Sequence, residues 1–263
     1  MATNGPDGES DGRVPRESSA PFRGVKHAEA QGGLARARAL IALGGIVAGL
    51  GSFGIGEATS ELVPAETVHF KFFAEKRERV SRDTARVALR TAAVAFGALG
   101  VCLGVCLGIA GGLARHSRSA ATVGGLLGAV TGGLVGAGVA LGFLPFSLAM
   151  RSQFPNTDLI NGMLTHGVVW GPLGAVAGLA FAIGLGQPRL IGRAVASGFA
   201  GAVLGSVAFD LIGAFAFPLA KTDSPLARTW VPRLIARALV SVGTAAGVAL
   251  LLPAPRPARI APP

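Results

Sequence analysis

The stretch GGLLGAVTGGLVGAGVALG, residues 124–142, sets glycine at positions Gly124, Gly128, Gly132 and Gly136, with Ala140 next in line, and holds no charged side chain. In water each such glycine weakens a helix by about 1 kcal/mol relative to alanine. In lipid the balance differs. The hydrophobic effect no longer draws helices together, so contact relies on close van der Waals packing, and small residues collect where helices meet. Nor can a spanning segment abandon the helix, because an unsatisfied amide in hydrocarbon costs more than the glycine does. The stretch therefore reads as a membrane-spanning helix with one smooth face.

The rest of the chain agrees with that reading. Of 263 residues, 51% are hydrophobic and only 14% charged, and the mean hydropathy is +0.56. A soluble domain carries about 25% charged residues. No Asp, Glu, Lys or Arg occurs from Ala39 to Gly56, Thr91 to Ala114, Ser119 to Met150, or Leu159 to Pro188. The run from Ala194 to Ala220 holds a single charge, Asp210, and the last run, Leu234 to Leu252, holds Arg237 in its first turn. About 20 apolar residues cross a bilayer as helix. The runs are apolar on every face, unlike the alternating strands of a membrane β-barrel. The predicted fold is all-α: a multi-pass transmembrane bundle of about six spans, residues 37–56, 91–113, 120–149, 162–186, 192–219 and 234–252.

Around the spans, residues 1–33 are rich in Gly, Pro, Ser and mixed charges and read as a disordered tail. Residues 253–263 read as a Pro/Arg-rich C-terminal tail. The longest connection, 64–90, is predicted to be an amphipathic helix opening near Pro64. Phe73, Val80 and Val87 recur every seven residues among its charges. Such a segment lies on the membrane surface or extends the second span outward, with partner docking as the alternative. The other connections alternate short and longer, which suggests three helical hairpins. The second, fourth and sixth spans open near Arg90, Gly162 and Leu234, 72 residues apart, and the third and fifth near Thr122 and Ala194, again 72 apart.

The four-residue glycine rhythm recurs at Gly100, Gly104, Gly108 and Gly112 in the second span. Spans two and three are therefore expected to cross over their glycine faces, as a glycine zipper. A glycine-lined pore or an oligomerisation seam would use the same residues.

Asp210 lies deep in the fifth span, in GSVAFDLIGAF, with Ser206 one turn earlier. An intramembrane carboxylate is protonated, paired or beside a wet cavity. With alternating spans, His166 of the fourth and Arg237 of the sixth each sit about one turn in from the side nearest Asp210. Asp210, His166, Arg237 and Ser206 form a candidate polar cluster, with Asn161, Thr165 and Trp170 close to His166 in sequence. Simpler roles exist for each: Arg237 can snorkel to head groups, His166 can sit at the interface, and Asp210 can order the bundle.

Known catalytic patterns are missing. No histidine follows His166 to serve a serine nucleophile, Asp210 has no second intramembrane acid, and neither a phosphate loop nor a dinucleotide fingerprint occurs. Cys102 and Cys106 have no nearby histidine and read as packing residues, so no cofactor or metal is expected. The net charge of +10 is spread over all connections rather than one stripe. That favours anionic head groups over nucleic acid. Basic residues divide 12 and 12 between the two sides, leaving orientation open. The expected partners are the lipid bilayer and a homo-oligomeric or other membrane partner. The leading expectation is a non-enzymatic protein of the cell membrane with a packing or assembly role. The alternative is a small transporter or channel using Asp210, and the third an intramembrane enzyme.

Overall fold

The computed structural model describes residues 21–62, 75–153, 158–217 and 229–252. Within them the elements are α1 (Pro21–Leu62), α2 (Glu75–Ala114), α3 (Arg118–Gln153), α4 (Asp158–Leu185), α5 (Ile191–Ala216) and α6 (Trp230–Leu251), with one turn of 3-10 helix at Pro188–Leu190 before α5. All six contain a segment long and apolar enough to cross a membrane: Gly33–Thr59, Leu89–Ala114, Arg118–Phe143, Gly162–Leu185, Pro188–Ala216 and Trp230–Leu250. The protein is a six-span helical integral membrane protein.

Two boundaries differ from expectation. Residues 21–33, read as part of a disordered tail, belong to α1, and residues 1–20 lie outside the described residues. The polar composition argued for a tail, but a helix already nucleated by its apolar part propagates outward cheaply. Of the connection 64–90, residues 75–90 are continuous with the second span, so this part extends the span; 63–74 lie outside the described residues. The tail 253–263 does too.

Two tight turns set the bundle's register. After α2, Ser117 N–H donates to Gly112 O (3.0 Å) and His116 N–H to Leu113 O (3.0 Å), with His116 at φ 59°. After α4, Gln187 N–H donates to Ala182 O (3.3 Å) and Gly186 N–H to Ile183 O (2.9 Å), with Gly186 at φ 69°. Both are the same left-handed closure, which satisfies the last helical carbonyls and reverses the chain. They lie at one end of the bundle, where the Arg115 guanidinium covers Gly186.

The helices alternate in role. Each odd helix packs between two even ones: α3 between α2 and α4, α5 between α4 and α6, α1 between α6 and α2. The three hairpins α1–α2, α3–α4 and α5–α6 are each in contact. Large side chains fill the centre from the even helices, among them Phe96, Leu99, Leu103, Leu173, Phe181 and Val240. Glycine contacts join the outer helices to them. Gly100 faces Gly132, Gly104 faces Gly128 and Gly108 faces Gly124 across α2–α3, close enough that a methyl on one would overlap the other's carbonyl. Gly174 faces Gly198 across α4–α5, and Gly201 faces Gly243 across α5–α6, equally closely. The even helices α2 and α4 run parallel, with Gly100 against Leu173 and Gly111 against Phe181 and Leu185. These partners are close to 72 positions apart, so the sequence spacing has a spatial counterpart. The outer surface is apolar, with Val130, Leu134, Leu204 and Phe215 largely exposed. Lipid solvates such a surface, whereas water would drive it to associate.

Candidate functional site: a buried His–Asp pair

The α4–α5 hairpin builds the site. Its register sets Gly178 against Ala194 and Gly174 against Gly198. Carried two turns further from the tight turn, the same register brings His166 level with Ser206. Asp210 follows one turn later on α5. His166 Nδ1 and Asp210 Oδ1 lie 2.6 Å apart, and the two residues are 1% and 5% exposed. Asp210 is six residues before the end of α5. That is about 9 Å of helix at 1.5 Å per residue.

Aromatic rings wall the pair. His166 meets Phe209 edge to face at 5.8 Å and Trp170 at 6.5 Å, and Trp170 stands at 90° to Phe96 of α2 at 5.3 Å. A lone carboxylate in such surroundings is strongly disfavoured. Pairing with an imidazole gives the charge or its proton a partner within hydrogen-bond reach. One carboxylate oxygen is used this way. The other, Asp210 Oδ2, is buried and has no hydrogen-bond partner among the described residues, and neither has Trp170 Nε1. Most buried polar atoms in proteins are partnered, so an acceptor and a donor left over among these packed rings call for explanation.

The sequence-derived cluster divides here. His166 and Asp210 come together. Ser206 is buried beside them, but its hydroxyl donates back to Val203 O (2.8 Å). Arg237, 4% exposed, turns to α1 instead: Nη1 donates to the main-chain oxygen of Ser52, and the guanidinium lies over Gly56. Near it, Arg233 Nη2 donates to Glu57 Oε2 at 2.8 Å. Sequence reasoning missed Ser52, Glu57, Arg233 and the Phe209 wall. Glu57 directly follows the first uncharged run and Arg233 directly precedes the last. That placement signalled the pair, had α1 and α6 been known as neighbours.

The two four-member glycine sets, Gly100, Gly104, Gly108, Gly112 and Gly124, Gly128, Gly132, Gly136, sit on the α2–α3 contact, where Gly112 meets Ala121 and Gly136 meets Phe96. Cys102 and Cys106 are free, half-buried thiols on the α2 face towards α1. Among the described residues no three His, Cys, Asp or Glu side chains converge on a common point.

No family model, no curated protein and no solved structure matches the chain. The class rests on the fold: an all-helical, six-span membrane bundle with a closed acid–imidazole pair in one half of it.

Proposed function

We propose that the protein is a small proton-dependent transporter or channel, not an enzyme, with the His166–Asp210 pair as its exchangeable proton site and the glycine-packed helices as its frame. The sequence favoured a packing or assembly role first, because no site chemistry stood out in it. Two features shift the balance. The long glycine stripes are taken up by contacts inside one chain, which leaves them little to offer a pore or a seam. The pair, in contrast, is chemistry that a scaffold does not need.

The observation that carries the reading is the 2.6 Å contact beside a carboxylate oxygen that has no hydrogen-bond partner among the described residues. Asp210 can take a proton at Oδ2 while Oδ1 holds the ring. Histidine can take a proton at one ring nitrogen and release one from the other. Together they form a two-position relay in a water-poor pocket, the usual setting of functional ionisable groups within a bilayer. A gradient-driven protein belongs in an energised membrane, which supports the cell's cytoplasmic membrane as its location.

The test is flux. Protein reconstituted in vesicles with a trapped pH dye is given a potassium diffusion potential. Proton entry above protein-free vesicles, lost in Asp210→Asn and in His166→Gln, supports the reading. Equal entry in wild type and both variants, or none under either polarity, overturns it in favour of the packing or assembly role that the glycine registers favour.

A further inference from the structure

A second feature is independent of the His–Asp pair. Beneath the α2–α3 turn, on the bundle's outer surface, lies a groove of about 340 Å³. Val105, Ile109 and Leu113 of α2 form one wall, Thr122 and Gly125 of α3 the other, and Arg118 its mouth. Val105 to Leu113 is two turns, about 12 Å along the helix axis. Gly125 keeps the floor low, since a methyl there would press on Ile109 Cγ1 at 3.0 Å. Thr122 donates its hydroxyl proton to Arg118 O (3.1 Å). Arg118 is therefore the groove's charged donor, at the residue where the third span begins.

We infer that this groove binds one anionic phospholipid of the surrounding bilayer, its phosphate at Arg118 and one acyl chain along Val105 and Ile109. The walls are almost wholly apolar, with the Thr122 hydroxyl proton already engaged, so a hydrocarbon chain suits this slot better than a water-soluble polar ligand. The charge selects the head group. Residues 33–38, 114–119 and 186–193, which meet at this end, carry six arginines and no carboxylate. A guanidinium engages phosphate oxygens through two parallel hydrogen bonds. The start of α3 at Arg118 adds the positive end of a helix dipole beside it.

The experiment is native mass spectrometry of the detergent-solubilised full chain, with phosphatidylglycerol and phosphatidylcholine of identical acyl chains offered in competition. One retained phosphatidylglycerol per chain is expected, at about five-fold the retention of phosphatidylcholine, the contribution of one arginine near an anionic surface. Arg118→Gln should reduce that preference to parity. Arg193→Gln, at the same end but outside the groove, should keep it. Thr122→Trp, at an exposed position, should fill the slot and lose both lipids. Equal retention of the two lipids by the wild-type chain overturns the proposal without recourse to any variant. So does an equal loss in Arg118→Gln and Arg193→Gln, which would mean diffuse attraction to a basic end. Far-ultraviolet circular dichroism confirms that each variant keeps its helices.

Discussion

Arg237 of α6 donates to the main-chain carbonyl of Ser52 in α1, and so ties the last span to the first. Asp210 has His166 as its hydrogen-bond partner among the described residues. Two polar positions thus occupy the same half of the bundle without touching. Energetic coupling between them should be small. Sites without shared partners add within about 0.3–0.5 kcal/mol. The expected outcome is that Arg237→Gln lowers stability by about 1.5–3 kcal/mol, the worth of a hydrogen bond from a charged group. Asp210→Asn should not rescue it. Reversible unfolding in mixed micelles, run as a double-mutant cycle, checks this; a coupling well above the additive limit would place the two groups in one network.

The glycine contacts divide one helix into tolerant and intolerant positions. On α3, Gly128 lies against the Gly104 main chain, while no described residue lies within 4 Å of a methyl at Gly138 or Gly142. Gly128→Ala must push two backbones apart and is expected to lose about 1–3 kcal/mol. Gly138→Ala gains helix propensity alone and should be neutral or better by up to about 1 kcal/mol. Comparing the two Tm values in the same detergent decides the matter. Equal effects would mean that the helices do not meet through Gly128.

The short His166–Asp210 contact has a spectroscopic consequence. The Nδ1 proton held between ring and carboxylate should resonate well downfield of an ordinary imidazole N–H. Asp210→Asn should move it back towards the ordinary position while far-ultraviolet circular dichroism is unchanged. Nitrogen-15 histidine labelling and solid-state NMR in bilayers read the signal directly. A wild-type His166 resonance indistinguishable from the variant's would remove the relay from consideration.

Glu57 and Arg233 form a different kind of pair. Their side chains are 30% and 23% exposed, so water and salt weaken the attraction. Glu57→Gln is expected to lower stability by less than about 1 kcal/mol, and less still in high salt. A loss as large as that of Arg237→Gln, insensitive to salt, would contradict the partial exposure.

Much of this was legible beforehand, and the limits of legibility follow a pattern. The uncharged runs pointed to six spans, because each residue's transfer to hydrocarbon is a local property; their ends were less legible, the third reading to 149 in the sequence where its apolar segment ends at Phe143. The run to Gly56 was extended to Thr59, and polar residues 21–33 joined α1, because hydrogen-bonded helix continues past the point where apolar burial stops. The expectation of one polar cluster of Asp210, His166, Arg237 and Ser206 divides in the structure: His166 meets Asp210, and Arg237 meets Ser52.

What the chain's order of residues settled, then, was class and span number. What only the packed bundle decided was direction around each helix axis: that Asp210 turns to His166, and that Arg237 turns to Ser52. Hydropathy encodes position along the membrane normal, since lipid acts on every residue separately. It says little about which neighbour a residue faces, because spans that are apolar on all sides carry no local mark of the helix they will meet. That choice falls to the simultaneous fit of six helices at their glycines.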